Sequence, residues 1–306
     1  MILWNDKPYH SLDYELKKRF GEKIYRLTLN GGMSCPNRDG HIGHGGCIFC
    51  SSGGSGDFAA DAALSIRQQI EAGKKLLSNK RPVNKYIAYF QAFTNTYGPV
   101  DYLRSIFTEA IQCPEVVLLS IATRPDCLQP EIMELLAELN QIKPVWIELG
   151  LQTVHEDTAS FIRRGYALSV YEDAVRHLRA YDIEVITHVI IGLPGESEED
   201  ILATVRYVVD SKAEGIKLQL LHVIEGTDLA IDYRAGAFNT LEMDEYIRII
   251  QKCVELIPET MVIHRLTGDG NKKSLLAPLW SGDKKRVLNA IRAAFQRDDV
   301  EQGSAL

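Results

Sequence analysis

Three cysteines lie within 16 residues, Cys35, Cys47 and Cys50 of the stretch SCPNRDGHIGHGGCIFCSSGGSG, with eleven residues between the first pair and two between the second. Thiolates brought together in a glycine-rich loop bind soft metal ions. Two fillings are open to them. His41 or His44 can complete a Cys₃His tetrahedron around a structural zinc ion. Alternatively, the three thiolates hold a [4Fe–4S] cluster, whose fourth iron is left for an outside ligand and therefore for chemistry. Cys113, Cys127 and Cys253 are scattered along the chain and read as core packing, so a reducing compartment and a metal fit this cysteine usage better than disulfides.

The elements that must position the loop follow from patterning. After the first 20 residues, short β-branched runs at 23–30, 84–93, 115–124, 145–152, 184–194, 215–224 and 260–268 alternate with stretches in which apolar residues recur at three and four, such as 61–80 and 196–214. Strand then helix, repeated at least six times, predicts a parallel sheet with right-handed crossovers, either open and doubly wound or closed toward a barrel. The expected fold class is α/β, a partial (βα)6-type TIM barrel with N- and C-terminal extensions. A single domain over 1–306 is expected, with its core at about 23–225 and the segment 226–306, which ends in a helix within GDKKRVLNAIRAAFQRDD, closing the barrel. A barrel keeps its reactive residues at the C-terminal ends of its strands. Polar residues gather there in this chain, at Gln91 to Thr96, Thr123 to Asp126, Gln152, Thr153 and His222. The cysteine loop follows the first strand directly, in the same zone. A chain of this size has core enough without a zinc staple, which favours the cluster.

With 306 residues, 45% hydrophobic and 25% charged, the chain has the composition of a globular protein, and its net charge of −7 gives no global attraction to nucleic acid or anionic membrane. Any RNA contact must be a local patch. Basic residues collect in KPYHSLDYELKKRFGEK and in HRLTGDGNKKSLLAPLWSGDKKR (264–286), where Lys272 and Lys273 suit phosphate and Trp280 suits stacking on a base. The N-terminus lacks a charged segment followed by an apolar one, and no apolar run reaches the length of a membrane span, so a cytoplasmic protein with no membrane association is expected.

The cysteine loop, with Phe49 just before its last cysteine, resembles the cluster motif of the radical SAM superfamily, in which S-adenosylmethionine chelates the fourth iron and is cleaved reductively to a 5′-deoxyadenosyl radical. The commonest motif there has a gap of three between the first two cysteines. A long first gap is similar to the branch that contains the catalytic subunit of Elongator. ATRPDCL (122–128), IELGLQTVHEDTASFIRRGY (147–166) and HVIIGLPGESEED (188–200) resemble the motifs of that branch's third, fourth and fifth strands. YHSLDYELKKRFG with LNGGMSCPNRDG resembles a bacterial group of short radical SAM proteins related to Elongator but lacking its acetyltransferase domain.

The resemblance implies [4Fe–4S] and S-adenosylmethionine as cofactors, an electron donor such as flavodoxin or ferredoxin, and tRNA as substrate, at the wobble uridine. It implies cluster ligation by Cys35, Cys47 and Cys50. Cofactor contacts are implied at Phe49, Gln91, Thr94, Arg124, Gln152, Arg164, His188 and Gly192, with Arg164 pairing with the methionine carboxylate. Three positions depart from the family pattern. FQAFTNTY stands where relatives have a glycine-rich motif, Ala122 where they often have glutamate, and His188 where they often have aspartate. Two other readings compete: radical chemistry on a small molecule such as a tetrapyrrole, and a zinc-stabilised RNA-binding or scaffold barrel without catalysis.

Overall fold

The computed structural model describes residues 4–54, 56, 59–77, 83–268, 270 and 272–306. In chain order its elements are α1 (Leu12–Phe20), β1 (Tyr25–Leu29), α2 (Ile66–Leu77), β2 (Tyr86–Phe90), α3 (Val100–Ile111), β3 (Val116–Thr123), α4 (Pro130–Asn140), β4 (Val145–Gln152), α5 (Glu156–Phe161), α6 (Leu168–Ala180), β5 (Glu184–Ile191), α7 (Glu198–Asp210), β6 (Gly215–Leu220), β7 (Val223–Ile224), α8 (Asp228–Arg234), α9 (Met243–Glu255), β8 (Val262–Arg265), β9 (Leu275–Ala277) and α10 (Lys284–Arg297). Each β-branched run yields a strand. The last of them, 260–268, yields β8 as the seventh strand of the sheet, so the order is β1-β2-β3-β4-β5-β6-β8 and every neighbouring pair is parallel. The sheet curls into a half-barrel with helices outside, and the short antiparallel pair of β7 with β9 stands apart from it.

Strand alternation separates two environments. Outward positions such as Leu27, Phe90, Ile121, Ile147, Val189 and Leu218 are buried beneath the helices in the main core. Inward positions near the strand starts, Ile87, Leu118, Trp146 and Ile186, pack with Leu16 of α1. That helix plugs the N-terminal end of the half-barrel. It is held by a Ser11 cap on Tyr14 N–H and stopped by Gly21 in the left-handed region. Ser11 also bridges to Ile263 of β8.

Higher up the strands the usual burial pattern inverts. The inward residues Thr28, Ala122, Gly150, Gln152, His188 and Gln219 are half-buried, while their outward neighbours are buried. The lumen therefore opens to solvent at the C-terminal ends of the strands, where the cysteine loop lies.

Candidate active site

The cysteine loop is folded by its own backbone. Arg38 and Asp39 N–H both donate to Cys35 O, and Cys50 N–H donates to Cys47 O at 3.0 Å, so the last two cysteines share one turn. Asn37, a residue that the motif reading passed over, ties this loop to the β4–α5 region by donating to Arg163 O at 2.5 Å and to Cys47 Sγ at 3.6 Å. Gly43 permits that placement, because a Cβ there would lie 2.6 Å from Asn37 Oδ1. Arg38 donates to Cys50 O and Ser51 O at 3.2 and 2.5 Å.

The thiols act on one another. The hydrogen bond from Cys50, against desolvation by burial and helped by Arg124, Asn37 and Arg38, pulls the Cys47 thiol down to about 7. The same bond, with burial, pushes Cys50 well up, and Cys35 is near enough to add to it. One thiolate thus forms readily, with two guanidinium groups near to balance the charge that a thiolate-bound cluster carries. His41 lies instead 6.3 Å from the Tyr97 ring. Among the described residues, no three His, Cys, Asp or Glu side chains gather as a single metal ion requires.

Beside the loop stand two buried acceptors. Asn95 anchors the turn after β2 by donating from Nδ2 to Phe90 O and Ala122 O at 3.1 and 2.8 Å, while its Oδ1 is buried with no partner among the described residues. Gln152 Oε1 is likewise buried and unpartnered. Its backbone is left-handed, φ 70°, where β4 and β5 shift register, a conformation that favours glycine and that concentrates at functional sites. Thr94 is buried, with its N–H on Ser34 O, and Gln91 N–H donates to Leu29 O. Phe49 packs against the satellite cluster of Ile48, Ile162 and Ile190. Gly192 has φ +89°, and a Cβ there would meet Leu241 Cδ1 at 2.9 Å.

Two arginines lie over one ring. Arg124 and Arg164 lie 5.0 and 4.8 Å from the centroid of Tyr166, whose hydroxyl donates to Gly150 O. Arg124 forms a fork on Asp126 at 2.9 and 2.7 Å and donates to Arg164 O. Arg164, 1% exposed, donates to Tyr166 O, Thr153 O and Leu151 O, and its remaining nitrogen meets both oxygens of Glu156 at 3.2 Å. Glu156 also accepts from Leu168 N–H at 2.7 Å, at the start of α6.

His188 faces a buried ionic layer across the lumen. Its Nε2 meets Glu148 Oε2 at 2.9 Å. Glu148 also accepts from Ser120 Oγ at 2.9 Å and from Lys217, with Arg26 at 3.7 Å. A charged residue in the middle of an otherwise apolar strand run, as in KIYRLTLN, VWIELGLQ and GIKLQLLHVI, was the signal for this layer. Trp280 donates to Leu241 O and packs on Tyr246. Lys272 and Lys273 are exposed, just beyond a segment in which Gly268 and Gly270 lie against His222, next to the end of β6.

Comparison with known proteins decides what this arrangement is. The family described as the Radical SAM superfamily matches residues 38–208, and the Radical_SAM C-terminal domain matches 213–297. The chain belongs to the radical SAM superfamily. YtqA of Bacillus subtilis is 43% identical over 298 residues, covering 97% of this chain and 92% of that protein. The tRNA uridine(34) acetyltransferase of Methanocaldococcus jannaschii is 26% identical, over 86% of this chain and 57% of that protein. Among solved structures, the archaeal Elp3 of Methanocaldococcus infernus with an N-terminal deletion superposes with a TM-score of 0.68 at 17% identity, over 91% of this chain and 64% of that one, a likeness of fold.

As a radical SAM enzyme the protein takes a [4Fe–4S] cluster and S-adenosylmethionine as cofactors, which sets aside the zinc scaffold. The residues present fit that pair. Cys47 and Cys50 are hydrogen-bonded to each other, Cys35 is near enough to act on them electrostatically, two guanidinium groups lie beside them, and the two orphaned buried oxygens of Asn95 and Gln152 need donors such as an ammonium or hydroxyl supplies. No described helix is long and apolar enough to cross a membrane.

Proposed function

We propose that the protein is a radical SAM enzyme that modifies tRNA at the wobble uridine. Bound at this site, the cofactor pair supplies a one-electron cleavage that yields a 5′-deoxyadenosyl radical. The chain's residues divide the remaining work. Cys35, Cys47 and Cys50 would hold the cluster, and Arg38 and Arg124 would offset the negative charge of the thiolates. Asn95 Oδ1 and Gln152 Oε1 would accept from the cofactor's amino group and ribose, with Thr94, Gln91 and Phe49 shaping the pocket around them. Gly192 would let backbone approach the nucleoside. Arg164 would take the methionine carboxylate by exchanging Glu156 for it. The plugged floor and the helix-covered walls leave the C-terminal mouth as the route for substrate.

The observation that carries the RNA reading is the match to tRNA uridine(34) acetyltransferase along 86% of the chain. Exposed Lys272 and Lys273 near the mouth give phosphate a place to bind. A tetrapyrrole would need an apolar chamber, whereas the lumen presents Gln219, His188 and Arg26. The test is mass spectrometry of nucleosides from tRNA of a strain lacking this protein. Loss of one modified wobble uridine, restored by wild type but not by Cys47→Ala, is expected. An unchanged nucleoside profile contradicts the tRNA assignment.

A further inference from the structure

The lumen contains a chain of hydrogen bonds whose direction is fixed from one end. Glu148, fully buried, receives Lys217, Ser120 and His188. A carboxylate only accepts, so His188 must donate to it from Nε2. The other ring nitrogen, Nδ1, is then the acceptor, and it lies 3.3 Å from Gln219 Nε2. Gln219 must therefore turn its amide nitrogen to the histidine and its carbonyl oxygen the other way, whatever assignment the side chain is given at the outset. Burial, with Lys217 adding to it, pushes His188 down to about 4, so the ring is neutral and this polarity holds at neutral pH. On the opposite side of Glu148, Arg26 stacks over Tyr89 at 5.2 Å, and its Nε is buried without a partner among the described residues.

Gln219 is half-buried at an inward position of β6, two residues beyond Lys217 toward the C-terminal end of the strand. One of its amide hydrogens goes to His188. What remains is an acceptor and a donor side by side on a single group. We propose that Gln219 is the specificity-determining residue for substrate, recognising an N–H beside a carbonyl, the edge that the imide of uracil presents. His188, Glu148 and Lys217 are positioning residues that hold the amide in one orientation, with one donor and its carbonyl left for the ligand. The assignment to an RNA base rests on the tRNA reading above, whereas recognition of an imide edge does not.

The test uses the full chain and two free nucleosides, uridine and 3-methyluridine, with binding followed by NMR titration. Methylation at N3 removes the donor and leaves both carbonyls. Uridine is expected to bind about tenfold more tightly than 3-methyluridine. Gln219→Met should bring the two within about twofold of each other. His188→Phe, which keeps Gln219 but frees it to turn, should lower the uridine to 3-methyluridine ratio in the same direction, a readout that a purely structural role would not move. Equal binding of uridine and 3-methyluridine to wild type, no binding of either, or a preference that survives Gln219→Met overturns the proposal. Filter binding of tRNA to the same proteins separates the two claims. Bound tRNA without nucleoside discrimination removes Gln219 and spares the RNA reading. Discrimination without tRNA binding keeps Gln219 and assigns the site to a small imide or lactam.

Discussion

Replacing Glu148 by glutamine changes the barrel interior by one charge and almost no volume, and the structure sets what that costs. The carboxylate side chain is 0% exposed and Lys217 is 2% exposed, and Arg26 lies 3.7 Å from it on the other side. Burial opposes ionisation of Glu148, but Lys217, Arg26 and His188 outweigh it and hold the carboxyl well below its ordinary range. Removing one partner of a buried pair costs about 3–5 kcal/mol, because the other charge is left without compensation. Lys217 softens that loss by giving up its proton, since burial already pushes it well down. The lower end follows, about 3 kcal/mol. Glu148→Gln with Lys217→Met should recover part of the loss, because Lys217 then leaves no uncompensated charge while Arg26 still does. Urea unfolding of the four proteins in a double-mutant cycle measures the coupling, expected at about 2–3 kcal/mol. A Glu148→Gln protein within about 0.5 kcal/mol of wild type, or a double variant that loses the sum of both singles, refutes the reasoning.

Three further outcomes follow from the same geometry. If Arg164 exchanges Glu156 for the cofactor carboxylate, Glu156→Gln should tighten S-adenosylmethionine binding in calorimetry. Arg164→Ala should weaken it by about 1.5–3 kcal/mol with iron content unchanged. His188 is held near 4 while an unfolded histidine titrates near 6.5, so between those values the unfolded chain binds more protons and stability rises with pH. Acidification from pH 7 to 4 should remove up to about 3 kcal/mol through this group, and His188→Phe should flatten that part of the pH profile of urea stability. Neutralising Lys272 and Lys273 together should weaken tRNA binding and reduce its salt slope by about 2, with release of 5′-deoxyadenosine in the absence of tRNA unchanged.

The strands were legible because each run carries β-branched residues between breaks, and the run at 260–268 even marked the seventh strand. The cysteine loop was legible from spacing. Tertiary partners were not. Glu156 on Arg164, Tyr166 between two arginines and Asn37 on the cysteine turn depend on where separate loops meet, which one-dimensional periodicity does not encode. The inward layer lies between these cases. Arg26, Glu148 and Lys217 each interrupt an apolar strand run, yet their shared centre becomes visible only when the sheet curls and brings β1, β4 and β6 around one lumen. Trp280, an aromatic in a basic segment, suggests stacking on a base; in the fold its indole N–H holds Leu241 O and its ring packs on Tyr246.

The central claim is that Cys35, Cys47 and Cys50 hold a cluster that cleaves S-adenosylmethionine. It is tested most directly by anaerobic reconstitution of wild type, the three single cysteine-to-alanine variants and Cys113→Ala. Iron, sulfide and zinc are assayed together with 5′-deoxyadenosine released on dithionite addition. Wild type and Cys113→Ala should each carry about four irons and four sulfides and release the nucleoside, while each loop variant releases none and remains folded. One zinc and no iron in wild type, or cleavage that persists in a loop variant and fails in Cys113→Ala, contradicts the account.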